Sequence, residues 1–338
     1  MLFGRPPARG AAFFVASPTM KRPQDIDSKK FIAALKTGDL TRLKSIPKSD
    51  LHIHSILGTR LERIESWLGK SLPRPASRMS SLNEMISYAH EKLYPHIMSR
   101  EGFEFTAASA VDEAIEDGVT KLEMSLDMQF IAKYDSVPDG FLSVVSHLVA
   151  SNRDRIDFRP EIGMSKDRSA EYQAKLAISC IHSGIFRSID LYGNETAQPP
   201  ELYRQVYTEA RKHGLKLKAH VGEFAGPELI SETIDLLQLD EIQHGITAAG
   251  SKPLMERLKR DGIRLNVCPS SNVVLGVVSD ISRHPIRTLV DHGVRVTINS
   301  DDPTVFGQSV SDEYLLLHTS GVLTANELDA IRLEGLGS

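Results

Sequence analysis

Eight short runs rich in Val, Ile and Leu alternate with helix-patterned stretches along this chain, and that alternation leaves few folds open. The runs are 50–54, 121–125, 157–163, 187–191, 215–221, 241–244, 263–267 and 294–299. Short apolar runs bounded by turn residues read as strands. Between them, 107–116, 170–182, 200–213, 227–237, 253–260 and 286–292 space their apolar residues for helices. Gly214, Gly262 and Gly293 each stand between a helical stretch and the next strand. Glycine there supplies the left-handed cap that ends a helix. Alternating strands and helices predict a parallel sheet, and eight such units predict a TIM (β/α)8 barrel.

The interval from the first strand to the second is far longer than one crossover helix needs. Extra helices are therefore expected in it, 81–90 among them. Residues 1–25 read as a disordered extension: Arg5, Arg9, Lys21 and Arg22 occur there, and no acid precedes Asp25. The apolar run 10–16 is short for a signal peptide. Helix-like sequence follows Met20, a candidate start. Residues 26–338 are expected to form a single domain. With 40 basic and 44 acidic residues the net charge is −4, and no basic patch argues for nucleic-acid binding. No apolar run approaches the roughly 20 residues that cross a bilayer. Only Cys180 and Cys268 occur, which excludes a disulfide scaffold and fits a reducing, cytoplasmic location.

In such barrels the active site lies at the C-terminal strand ends. Here those ends carry His52-Ile53-His54, His220-Val221-Gly222-Glu223, Gln243-His244-Gly245 and Asn299-Ser300-Asp301-Asp302-Pro303. Residues i and i+2 of a strand share a face, so His52 and His54 can grip one metal ion. A bare His-x-His is weak evidence. His220 alone reads as a core histidine, and Asp301 alone as a helix N-cap. Together they make three imidazoles and a carboxylate, a set that suits Zn2+ or another divalent transition metal. Asp301 and Asp302 are adjacent and point opposite ways in extended backbone, so different roles are expected. Glu223 is a candidate general acid if burial keeps it protonated, or else a helix-start glutamate at the positive end of a dipole. His244 is a candidate base or orienter of water.

These motifs, together with Pro47-Lys48-Ser49-Asp50-Leu51, Asp190-Leu191-Tyr192-Gly193-Asn194-Glu195 and Cys268-Pro269-Ser270-Ser271-Asn272, resemble adenosine deaminase in order and spacing over roughly residues 47–325. The resemblance implies zinc held by His52, His54, His220 and Asp301. It implies that Glu223 protonates purine N1 and that His244 positions and deprotonates the attacking water. It implies that Asp302 hydrogen-bonds purine N7 and that the Gly193 N–H faces N3. Asp301 counts among the catalytic residues as well as the ligands. The expected partner is a small-molecule purine, adenosine or 2′-deoxyadenosine, converted to a 6-oxopurine and ammonia. Nothing in the sequence sets the oligomeric state.

The match breaks after His54. Family members usually read His-x-His-Leu-Asp-Gly, with the Asp on the ribose 5′-hydroxyl. This chain reads His54-Ser55-Ile56-Leu57-Gly58, one residue longer and without an acid. Ser55 is the candidate replacement. The altered loop keeps open adenine, or a 5′- or N6-modified adenosine, as the substrate. Ser125 stands where relatives often carry Arg, and no physical account of that change follows. A non-catalytic purine-binding protein and a metal-dependent hydrolase of a lactone or cyclic amide are the competing readings. Gly69-Lys70-Ser71 is no phosphate loop, because Ile64 stands where the first glycine belongs. His182, His213 and His292 read as cations at helix C-termini. His90 and His96 read as solvent-facing, and His284 as an organiser of the last loop.

Overall fold

In a computed structural model, which describes residues 23–337, eight parallel strands pair in sequence order around a nearly closed barrel. They are β1 (Lys48–His54), β2 (Val119–Asp127), β3 (Asp157–Ser165), β4 (Ser188–Tyr192), β5 (Lys216–Val221), β6 (Glu241–His244), β7 (Arg264–Val267) and β8 (Val296–Ile298). Every expected strand is present, and β6 has the expected bounds. The helices Ala170–His182 and Pro227–Leu237 also match residue for residue. The stretch expected as one helix over 200–213 divides into a 3-10 turn, Pro200–Tyr203, and an α-helix, Arg204–Lys212. Pro199 and Pro200 stand at the N-cap and first helical positions, where a missing N–H costs no helix bond.

The expected extension, residues 1–25, lies outside the described residues except for Pro23–Asp25, which open the helix Pro23–Thr37. The first crossover does hold extra helices: Leu61–Leu68, Leu82–Tyr88, a π turn Ala89–Leu93, Tyr94–Ile97 and Arg100–Glu116. Trp67 stacks on Phe105 there, with ring centroids 4.6 Å apart, linking two of these helices.

Closure between β8 and β1 happens just beyond the last strand. The Asp301 N–H donates to the His52 carbonyl at 3.0 Å, and the His54 N–H donates to the Asp301 carbonyl at 3.2 Å. Inside the barrel, beneath His220, lies a layer of buried charge. Lys218 is fully buried and reaches Glu123, Glu161 and Glu241. Arg264 closes on Glu241 at 2.7 Å. Each of these side chains points inward by the strand alternation that also aims His220 at the centre.

Among the described residues, no helix is long and apolar enough to cross a membrane. Cys180 and Cys268 are both buried and unpaired.

Candidate active site

Four of the strand ends bring their polar residues together. The ring nitrogens of His52, His54 and His220 lie within 4.8 Å of one another. Asp301 Oδ1 stands 3.4 Å from His52 Nε2 and 3.5 Å from His54 Nε2. The outer face of two rings is fixed from behind. His52 Nδ1 lies 3.2 Å from the Asn266 carbonyl, and His220 Nδ1 lies 3.1 Å from Asp190 Oδ1. A carbonyl and a carboxylate accept only, so both Nδ1 atoms carry a proton and Nε2 is the atom each ring offers to the cluster; against burial, Asp301 raises His52. His52 Nε2 has no hydrogen-bond partner, and His220 Nε2 faces His54 Nε2 at 3.2 Å. Lone pairs converging on one point are the arrangement a divalent cation satisfies. The donor set therefore fits a metal ion held by His52, His54, His220 and Asp301.

Electrostatics agree with that geometry. Burial and the neighbouring His220 push His54 down to about 3, so its ring stays neutral and able to ligate. Burial would raise Asp301, but His52, His244 and His54 hold its carboxyl well below the usual range. Backbone conformation is unusual at two of the same positions. His244 and Asp301 both have φ +63°, in the left-handed region. Non-glycine residues there cost about 1–3 kcal/mol each and collect at functional sites.

Glu223 and His244 form the second half of the cluster. The Glu223 carboxyl accepts from Asn272 Nδ2 at 2.7 Å and from Ser271 Oγ at 3.4 Å. Burial, then the Asp301 and Glu195 carboxylates, push it well above the ordinary range. His244 Nδ1 lies 3.5 Å from Glu223 Oε1, and its Nε2 lies 3.9 Å from Asp301 Oδ2. Burial and His52 press the His244 ring well below its ordinary value. A protonated carboxyl and a neutral imidazole thus sit side by side, one able to give a proton and one able to take it. Cys268 Sγ also approaches the His52 and His244 nitrogens, but burial raises its thiol, so it stays protonated.

A family model described as Adenosine deaminase matches residues 72–338. The chain belongs to that family. A Treponema pallidum (strain Nichols) protein named "Putative adenosine/adenine deaminase" is 34% identical over 288 residues, covering 85% of this chain and 96% of that one. Among solved structures, an adenine deaminase from Arthrobacter aurescens superposes with a TM-score of 0.76 at 24% identity, over 86% of this chain and 93% of its own. An amidohydrolase from Burkholderia ambifaria with bound Zn superposes with a TM-score of 0.73 at 21% identity, over 87% and 86%. The adenosine deaminase family is metal-dependent, and this member is a hydrolase acting on C–N bonds. Hydrolytic deamination of a 6-aminopurine is the activity this membership supports. The family match begins beyond β1, so His52 and His54 stand on the geometry.

The remaining expected residues of this deaminase fall into place unevenly. Asp302 is buried beside the cluster, its Oδ1 has no partner, and burial and Asp301 push its carboxyl up. It, and not Asp301, holds the N-cap position of the helix Pro303–Phe306, and its side chain makes no cap bond. The opposed directions expected for the two acids came from assuming extended backbone, which the φ of Asp301 replaces. Gly193 has φ +92°, and a Cβ there would strike the Asp167 carboxylate. Ser55 is buried, but its Oγ has no partner and its N–H donates to the Ser125 carbonyl at 2.9 Å. No hydrogen bond among the described residues ties Ser55 to the cluster.

Several supporting residues had been quoted only as parts of motifs. The Glu195 carboxylate accepts the N–H groups of Gly222, Glu223, Phe224 and Ala225 at 2.7–3.3 Å, so it fixes the loop that carries Glu223. Asp190 orients His220. His284 does organise the last loop: its Nε2 meets Asn272 Oδ1 at 3.2 Å, and Asn272 in turn holds Glu223. Asn266 lies outside every quoted motif, and because it meets His52 through its backbone carbonyl, no side-chain signal could have marked it.

Proposed function

We propose that this chain is a zinc-dependent aminohydrolase that converts a 6-aminopurine to a 6-oxopurine and ammonia. The observation that carries the reading is a buried Glu223 carboxyl, pushed up by burial, 3.5 Å from a His244 ring pushed down by burial, both against the His52, His54, His220 and Asp301 donor set. Three imidazoles and a carboxylate around a small divalent ion favour zinc. When bound, such an ion makes a water at the site acidic enough to lose its proton near pH 7.

The chain's own groups supply the rest. His244, neutral and adjacent, accepts the proton of the attacking water. Asn272 occupies Glu223 Oε1, which leaves the other oxygen to carry the proton given to purine N1. Protonation there takes up the charge that attack at C6 would push into the ring. Asp302, kept protonated by burial, donates to N7, an acceptor. The Gly193 N–H faces N3. Burial of the cluster keeps bulk water away, which strengthens each of these contacts.

Adenosine and adenine offer the same N1, C6 and N7 edge and differ at N9. Adenosine or 2′-deoxyadenosine is the reading taken from the family motifs. One observation favours adenine as a second reading: relatives bear that name. A cytoplasmic setting fits two free, buried cysteines.

The test is ammonia release by zinc-loaded protein from adenosine, 2′-deoxyadenosine, adenine, 5′-methylthioadenosine, AMP and N6-methyl analogues. Release from one or more is expected. Binding of purine without release from any of them would overturn the catalytic reading and leave a purine-binding protein.

A further inference from the structure

Outside the barrel, on its helical layer, a second set of donors converges. His182 is the last residue of the helix Ala170–His182. Glu209 belongs to the following helix, Arg204–Lys212, and His213 caps it. The i, i+4 spacing puts Glu209 and His213 on one face, and that face meets His182. His182 Nε2 lies 3.2 Å from Glu209 Oε1, and His213 Nδ1 lies 3.5 Å from the same oxygen. The two imidazole rings stand 4.6 Å apart at 33°. One ligand atom from each of the three residues lies within 4.8 Å of the others.

Helix C-termini favour positive charge, which accounts for a histidine at each of these ends. It does not account for both rings meeting at one carboxylate oxygen. Lys212 Nζ takes the other oxygen, Oε2, at 3.3 Å, and so leaves Oε1 to the histidines. Two imidazoles and one carboxylate are the ligands of a borderline transition metal and not of Mg2+ or Ca2+, which prefer oxygen throughout. His213 Nδ1 also lies 3.1 Å from the Glu209 backbone carbonyl, so zinc bonds of about 2.0–2.2 Å would need that bond released as well as rotation of these exposed side chains. A fourth position would be left to water.

We propose that His182, Glu209 and His213 form a second divalent transition-metal site, separate from the catalytic cluster and suited to Zn2+. It differs from the cluster in access. The side chains of His182, Glu209 and His213 are 51%, 26% and 39% exposed, whereas that of His52 is 1% exposed. The outer ion therefore exchanges quickly with solvent and yields first to a chelator. Bound, it bridges the two helices that flank β4, the strand whose Asp190 orients His220.

The test counts ions. Untagged full-length protein is equilibrated with excess Zn2+, freed of unbound metal by gel filtration in buffer holding micromolar Zn2+, and assayed for zinc per chain. The double variant His182→Ala, His213→Ala is treated identically, with circular dichroism as the check on folding. The wild type is expected to hold one more ion per chain than the double variant. Glu209→Gln is expected to weaken the extra ion at least tenfold in a competition titration with a colorimetric chelator. None of these residues belongs to the catalytic machinery, so deaminase turnover at limiting zinc should be unchanged. Because the readout is a difference of one ion, it holds even if the inner cluster were empty. Equal zinc content in wild type and double variant, or a Glu209→Gln affinity equal to wild type, would overturn the proposal.

Discussion

Two layers of the same barrel bury ionisable side chains, and they treat them in opposite ways. In the lower layer Lys218 meets Glu123, Glu161 and Glu241, while Arg264 shares Glu241. Burial works against the Lys218 charge, but the three carboxylates overcome it and hold the ammonium protonated. One layer up, the groups are left wanting partners. His52 Nε2 and Asp302 Oδ1 are buried without a hydrogen bond, Glu223 keeps its proton, and His54 and His244 lose theirs. The backbone follows the same division, since the positive φ of His244 and Asp301 belongs to the upper layer. Buried charge alone therefore does not mark a site. What marks the upper layer is several such groups converging on one point, whereas the lower layer leaves a lone atom, Glu161 Oε2, without a partner.

The sharpest way to break this comparison is to exchange proton-carrying capacity for none. Glu223→Gln should lower kcat by about 10²–10⁴-fold, the range of a general acid, in a steady-state ammonia assay. Its melting temperature should stay level or rise, because a buried carboxyl becomes a neutral amide. Lys218→Met should do the reverse. It strands Glu161 and takes one partner from Glu123 and Glu241, which keep Arg159 and Arg264, and should cost about 3–5 kcal/mol in a urea titration. Loss of activity without loss of stability in Lys218→Met would erase the distinction between the layers.

Glu195→Gln sharpens the comparison from the side of support. One carboxylate accepting four N–H groups, two on each oxygen, is replaced by an amide that must turn its donor toward two of them. A drop of about 10–100-fold in kcat is expected, with metal content retained. An unchanged kcat would mean that the Glu223 loop holds its place unaided.

Glu313 tests an unpaired acid away from both layers. Its carboxyl is met by Ser270, through the N–H at 3.2 Å and the side chain, and burial still pushes it up to about 8, from an ordinary 4.5. In the unfolded chain it ionises near 4.5, while the folded protein keeps its proton until about 8. Its contribution is thus most favourable below the unfolded value and is lost as pH rises across that window. The wild type should lose about 1.4 kcal/mol per pH unit from this group. Glu313→Gln should flatten that part of the curve in denaturant titrations between pH 5 and pH 8. Parallel curves for the two proteins would sink the assignment.

The barrel was legible in the sequence because its strands are short, apolar and punctuated by glycine. Pattern alone also found the cluster, since His52 and His54 share a face and the other donors end their own strands. What did not show was the supporting set. Asn266, Asp190 and Glu195 act through contacts between strands distant in sequence, and no local periodicity encodes such a contact. The backbone of Asp301 was misjudged for the same reason. Its conformation is imposed by β1, through bonds to His52 and His54, and not by its own neighbours. Ser55 was proposed by position in a motif, yet the loop that carries it is longer than the family's, and position then says little about reach.

Closure of the barrel at Asp301 has a consequence for how such a chain can change. The residue that brings a carboxylate to the donor cluster also carries the two backbone bonds joining the last strand to the first. Its chemistry and its architecture are inherited together. A lineage could exchange Ser55 and drift toward another purine with its scaffold intact. It could not abandon position 301 as cheaply, because a side chain that resists the left-handed conformation would loosen the joint between the ends of the sheet. Descendants that stopped deaminating would thus be expected to keep this aspartate longer than they keep Glu223.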